Sequence, residues 1–289
     1  MSPSPRGYSI SWLRRRATTR ERVEIPPRAI IGSVRRTAEL EEVVTALRRA
    51  GCVAADEEAR ELVAAANSAE SLDGLVARRI SGEPIAWITG RTTFCGHELR
   101  IDTGVFVPRW QSEAMARMAV GLLPAHGVAV DLCTGAGSIA VVLAAAHPHA
   151  TVHGTELDPL AAACARRNGV RAWEGDLFAP LPLGIRGSVD VLTAVAPYVP
   201  HDALHLLPRD VAQFEPKLAL DGGPDGLHVV RRIVSEGGAW VRPGSSVLLE
   251  VGSDQCAAVA ALLERAGYLA PEVIKDPDGD QRGVWARRA

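Results

Sequence analysis

Residues 130–144 read VDLCTGAGSIAVVLA: an apolar run, a turn with two glycines, and a second apolar run rich in alanine. The first run has the length and β-branched content of a buried strand, and the second continues as a helix through SIAVVLAAAH. Gly135 and Gly137 let the backbone come close to a ligand, and a helix that starts at such a turn offers N–H groups with no partner of their own. Outward from this point the alternation repeats. GVAVDLC, TVHGTEL, RAWEGDL, VDVLTAVA and SSVLLEVG read as strands, with PLAAACARRNG and a segment around 225–239 as helices between them. Strands alternating with helices from about residue 111 to 289 predict an α/β fold, a largely parallel, doubly wound sheet.

Such a sheet binds its ligand at the carboxyl ends of its strands, and three of those ends carry acids. Asp131 precedes the glycine turn. Glu156 ends the next strand, where a carboxylate can take both hydroxyls of a ribose. Asp176, in EGDLF, is placed to accept from an adenine amino group while Leu177 packs on the ring. Thr134 in the turn and Leu157 beside Glu156 complete the expected cofactor set. A dinucleotide site prefers a third glycine three residues after the second, and that position is Ala140. Asp131 would repel a pyrophosphate but suits a sulfonium cation. The cofactor expected is S-adenosylmethionine.

The rest of the 289 residues fits around this domain. TAELEEVVTALRRAG (37–51) has apolar residues at 40, 43, 44 and 47, one helical face, with Thr37 as its cap and Gly51 as its end. ADEEARELVAAAN and LDGLVARRISG continue as short helices, so residues 37–82 are expected to form a small helical domain. Residues 83–110 alternate apolar and polar side chains around glycines and predict a β-hairpin linker to the domain at 111–289. Residues 1–36 carry nine arginines against Glu21 and Glu24, a basic arm that can be mobile or can meet RNA or an acidic partner. No apolar region follows those arginines as a secretory signal requires. The net charge of −2 argues against a general nucleic-acid binder, DNA included, and no run approaches the ~18 apolar residues of a membrane span. Cys52, Cys95, Cys133, Cys164 and Cys256 form no close pair and no metal-ligand spacing, so free thiols in the cytoplasm and no metal are expected.

Several stretches together carry a more specific signal. GEPIAWITG (82–90), FCGHELRIDTGVFVPRWQSE (94–113), DLCTGAG (131–137), GTELDP (154–159), GDLF (175–178), APYVP (196–200), FEPKLALDGGPDGLHVVRRIV (214–234) and LLEVGSDQ (248–255) resemble the HemK/PrmC family of protein-glutamine N5-methyltransferases. The resemblance covers residues 37–289. It implies a helical N-terminal domain, a hairpin linker and a class I (Rossmann-like) methyltransferase domain, with Asp131, Gly135, Glu156 and Asp176 around S-adenosylmethionine. It also implies that the acceptor is the glutamine of a Gly-Gly-Gln loop in a translation release factor, held in a slot beside an Asn-Pro-Pro-Tyr loop. The chain departs from the family pattern at Trp110 and Gln111, and at Val195 and Ala196, which stand in place of Asn-Pro.

The second departure bears on the chemistry. Methyl transfer needs a nitrogen lone pair in line with the S–CH3 bond, and an amide lone pair is delocalised into its carbonyl. Hydrogen-bond acceptors for the two N–H groups orient it, and Val195 has none in its side chain. In AVAPYVP (194–200), Ala196 keeps its backbone carbonyl, Pro197 keeps the loop rigid, and Tyr198 can wall a flat group. A guanidinium is flat and rich in donors, so a carboxylate could hold it in place of the asparagine. The candidates are Glu113, Asp202, Glu215, Asp221 and Asp225, with Glu215 first, and Phe106 and Arg109 also lie on the substrate side. The expectation is therefore an N-methyltransferase acting on free arginine or a small guanidino metabolite. One alternative is the family's release-factor glutamine, and another is a non-catalytic, ribosome-associated protein that binds the cofactor.

Overall fold

A computed structural model describes residues 33–67 and 71–289. The basic arm falls outside the described residues as far as residue 32. Its last four residues begin the first helix instead of preceding it. The chain divides into two compact units, which adjoin in sequence at Thr89 and Gly90.

The first unit is helical: α1 (Ser33–Arg49), α2 (Ala55–Ala65), α3 (Leu72–Ile80) and α4 (Ile85–Thr89). Val43 and Leu47 from α1 pack with Ala55, Ala59 and Leu62 from α2, Leu75 from α3 and Ile88 from α4. Thr37 is not the cap, because α1 starts four residues earlier. Gly51 does end α1: it takes φ +85°, and Cys52 N–H donates to the Leu47 carbonyl at 3.0 Å. Arg79 and Glu58 join α3 to α2 through a part-buried ion pair at 2.8 Å. Residues 85–89, which the alternation places in the hairpin linker, are helical. Over five residues a period of 2 and a period of 3.6 are hard to separate, and the Pro84 carbonyl closes the turn by accepting from Trp87 and Ile88.

The second unit begins with the hairpin, β1 (Arg91–Phe94) and β2 (His97–Arg100), joined by Cys95 and Gly96, both at positive φ. After α5 (Glu113–Leu122) come β3 (Val128–Leu132), α6 (Ser138–Ala146), β4 (Thr151–Glu156), α7 (Pro159–Arg167), β5 (Arg171–Glu174) and β6 (Val189–Ala194). Then follow α8 (Arg209–Phe214), α9 (His228–Gly237), β7 (Val241–Glu250), α10 (Cys256–Arg265), β8 (Tyr268–Lys275) and β9 (Gln281–Arg288). The sheet order is β5-β4-β3-β6-β7-β9-β8. The first five strands in that order are parallel, and β9 runs antiparallel to both its neighbours. The five strands expected from the sequence are β3 to β7, and the closing β8–β9 pair is an addition to them.

The chain leaves β3 towards β4 and β5, then returns to β6 on the other side. The switch point of the sheet thus lies between β3 and β6, where a ligand crevice opens. Leu192, Val247 and Leu249 face Val230 and Ile233 of α9 and Val259 and Leu263 of α10 in one core. By the two-residue alternation of strands, Thr193, Leu248 and Glu250 point to the opposite face.

Candidate active site

The turn after β3 is built by its glycines in two different ways. At Gly135 (φ +56°) an added Cβ would meet nothing within 4 Å, so open space lies over the turn. At Gly137 (φ +85°) a Cβ would lie 2.6 Å from Val170 Cγ2, so this glycine lets the start of α6 pack closely. Asn168, which the sequence reading did not single out, ties the turn to the hairpin. Its amide donates to the Ala136 carbonyl at 2.8 Å and to the Arg100 carbonyl at 2.9 Å.

Asp131 is fully buried, and both its oxygens are taken. Thr134 Oγ1 donates to one at 2.6 Å and Thr193 Oγ1 to the other at 2.7 Å. Burial pushes its carboxyl up to about 6, against the pull of those hydroxyls. Asp131 therefore braces the turn against β6, and Thr193 is the partner that sequence reasoning missed. Glu156 stands across the crevice. Its Oε2 accepts from Gly135 N–H at 2.8 Å and its Oε1 from Asp158 N–H at 3.0 Å. Burial raises its pKa, and the backbone donors oppose the shift. Each oxygen keeps a lone pair for a further donor. Leu157, beside it, is 49% exposed, an apolar surface at the crevice lip.

Asp176 pairs with Arg232 of α9, which reaches its two oxygens at 3.0 and 2.9 Å, and each oxygen keeps a lone pair for a further donor. One cofactor expectation needs correction. Leu177, at φ +46°, turns its side chain into the core instead of towards the crevice.

On the acceptor side, Val195 is part-buried and Ala196 buried. The loop Pro197–Val199 is gripped from behind by DGGPDG. Val199 N–H donates to Leu220 O at 3.0 Å, and Gly222 N–H donates to Val199 O at 2.8 Å. A Cβ at Gly222 would lie 2.6 Å from the Pro197 carbonyl. Gln255 Nε2 donates to the Tyr198 carbonyl at 3.0 Å. The loop is rigid because glycines let backbone meet backbone.

The carboxylates proposed to hold a guanidinium have other work. Glu215 already binds one, the chain's own: Arg109 reaches it at 2.6 Å, and the Glu215 side chain is 1% exposed. Arg109 also lies over the Phe106 ring, 4.9 Å from its centre. Burial raises the Glu215 pKa, and Arg109 draws it back. Glu113 accepts from Cys95 N–H at 2.9 Å and pairs with Arg117, so it fixes the hairpin turn. Asp221 holds His201 and Gly223 N–H, and Asp225 holds Arg231 and Leu227 N–H. Asp202 is exposed.

One acid missed by sequence reasoning stands nearer the acceptor loop. Glu250 ends β7, and the pairing of Ala194 with Leu249 sets it level with Val195. It is 4% exposed, and its Oε2 has no hydrogen-bond partner among the described residues. Burial pushes its carboxyl up to about 7, while a hydrogen bond from Ser112 and the charge of Arg282 pull the other way. Its place at a strand end of the crevice edge was the available signal.

Comparison with known proteins decides the family. A release factor glutamine methyltransferase from Geobacter sulfurreducens is 36% identical over 220 residues, 74% of this chain and 76% of that protein. The chain belongs to the HemK/PrmC family of release factor glutamine methyltransferases. The protein of the same name from Burkholderia pseudomallei is 38% identical over 227 residues, 74% of this chain and 79% of its own. A 4-amino-L-phenylalanine/4-methylamino-L-phenylalanine methyltransferase from Streptomyces pristinaespiralis is 37% identical over 203 residues, 66% of this chain and 69% of its own. No protein-family model matches the chain. Like other HemK/PrmC members this protein is an S-adenosylmethionine-dependent N-methyltransferase. The open space over Gly135, the spare lone pairs of Glu156 and the exposed Leu157 suit that cofactor, which supplies an electrophilic methyl group when bound.

Proposed function

We propose that this protein methylates the side-chain amide nitrogen of a glutamine in a release factor. The observation that carries the reading is the Arg109–Glu215 pair. It occupies Glu215, the first candidate to hold a free guanidinium, while the rigid Pro197–Tyr198 scaffold for a flat amide remains. The relatives named as release factor glutamine methyltransferases support the same choice.

In this reading the backbone carbonyl of Ala196 accepts from one amide N–H, and the loop holds the amide plane in line with the methyl group. Orientation of this kind supplies much of the rate of a bimolecular transfer. We assign recognition of the acceptor protein to the helical unit, and a cytoplasmic setting accords with five cysteines that form no disulfide among the described residues. Val195 favours a second reading, transfer to the aromatic amine of a free amino acid. Such an amine has no carbonyl conjugation and needs fewer acceptors to orient it, and one relative bears the name of such an enzyme.

The test offers labelled S-adenosylmethionine with a release factor carrying the Gly-Gly-Gln loop, with 4-aminophenylalanine and with arginine in parallel. Label in the glutamine of the release factor is the expected result. Label in 4-aminophenylalanine alone establishes the second reading, and label in arginine alone refutes both.

A further inference from the structure

We propose that Glu250 takes the part that the missing asparagine side chain at position 195 would play, accepting a hydrogen bond from the acceptor nitrogen and then its proton. The inference rests on the methyl-transfer reading above and adds a residue to it. Three observations meet at this carboxylate. The sheet register sets Glu250 level with Val195, at the crevice edge where β6 hands over to the acceptor loop. Val195 contributes no polar side-chain atom there. Glu250 keeps a buried oxygen, Oε2, without a partner. Buried unpaired polar atoms are few in native proteins, and each calls for an explanation, a catalytic role among them.

The surrounding groups leave the carboxylate underused. Ser112 donates to it from the 3-10 turn Trp110–Ser112. Arg282 faces it from β9, but that guanidinium is bound by Asp276 at 2.7 Å and by Asp280 at 3.0 Å. The phenol of Tyr198 faces it from the acceptor loop, and burial and the negative charge of Glu250 together raise the phenol's pKa, with Arg109 and Arg282 opposing. An acceptor N–H would give Oε2 the partner it lacks, a charge-assisted hydrogen bond gained without breaking one at that oxygen.

The step balances. The nitrogen lone pair forms the new N–C bond as the S–CH3 bond breaks, its electron pair staying on sulfur. The N-methylated cation then releases one N–H proton to the Glu250 carboxylate, which passes it to solvent. With its carboxyl raised to about 7, Glu250 is a proton acceptor matched to neutral pH.

The experiment measures kcat/KM for the full chain between about pH 5.5 and 9, with the release factor and with 4-aminophenylalanine. Wild type should show an acid limb, activity rising with pH through about 7. Glu250→Gln should lose that limb and run ~10²–10³-fold slower on the plateau, with S-adenosylmethionine affinity unchanged. Val195→Asn should restore most of the loss in the Glu250→Gln background, because the asparagine carbonyl takes over the hydrogen bond. A Glu250→Gln protein that keeps the wild-type profile overturns the inference and leaves the proposed function standing. Where Glu250→Gln does not fold, Val195→Asn alone carries the test: a flattened profile near pH 7 supports the inference, and an unchanged one overturns it. Wild type that binds the cofactor but methylates neither acceptor overturns the proposed function and this inference with it.

Discussion

Replacing Arg109 by methionine strands the carboxylate of Glu215. The Glu215 side chain is 1% exposed, its Oε1 receives Arg109 at 2.6 Å, and its Oε2 is buried without a partner. Removing one member of such a pair leaves a charge in a poorly solvated place and costs about 3–5 kcal/mol. Arg109 is 32% exposed, so the lower end of that range applies. The cost should depend on pH in a stated direction. Without Arg109, burial and the nearby charge of Asp210 act on Glu215 against only the Val107 N–H, and its folded-state pKa rises further above the unfolded value of 4.5. The folded variant then binds a proton that the unfolded chain does not, so its stability recovers as pH falls towards 4.5 and worsens as pH rises. Urea denaturation at about pH 8 and pH 5.5 measures this, and Arg109→Met should lose most at the higher pH. Adding Glu215→Gln should recover much of the loss, because no charge is then stranded. A deficit that is small, or equal at both pH values, would refute the pair as a structural clamp and return Glu215 to the substrate.

Glu156→Ala should weaken S-adenosylmethionine binding by ~10–150-fold, the worth of one charge-assisted hydrogen bond, with isothermal calorimetry on the folded variant as the check. The two glycines of the turn should differ in degree. Both hold a positive φ that strains an alanine, and Gly137→Ala also meets Val170, so it should destabilise by ~1–3 kcal/mol beyond Gly135→Ala in chemical denaturation, while Gly135→Ala, with open space over it, should also impair cofactor binding. Glu250, raised to about 7 from 4.5, favours the folded state when protonated, so wild type should lose stability as pH rises from about 4.5 through 7. Glu250→Gln should abolish that slope, a difference of about 3 kcal/mol at pH 8 seen in denaturation midpoints. A parallel pH dependence in the two proteins would show that Glu250 does not titrate there.

The strand, turn and helix at 130–144 were legible because the information is local. Apolar runs of strand length, an alanine-rich helix and glycines at positive φ each act within a few residues, and together they predict a doubly wound sheet with a ligand at its crevice. Glu156 followed from the same rule, being the acid at the next strand end. The β8–β9 pair escaped because Pro271 and the exposed charges of YLAPEVIK hide its alternation, and β9 is recognisable as a strand only once it lies against β7. Helix α4 escaped because five residues are too few to distinguish the two periods.

The sequence by itself determined the five parallel strands of the sheet, the glycine turn, the family and the loss of the acceptor side chain at Val195, all readable from neighbours along the chain. Only the tertiary structure decided what each carboxylate does. Glu215 meets Arg109 across 106 positions of sequence, Asp176 meets Arg232 across 56, and Glu250 comes level with Val195 through the register of two strands. A charge takes its role from whichever groups share its desolvated surroundings, and those are set by how distant loops pack, which no local periodicity encodes.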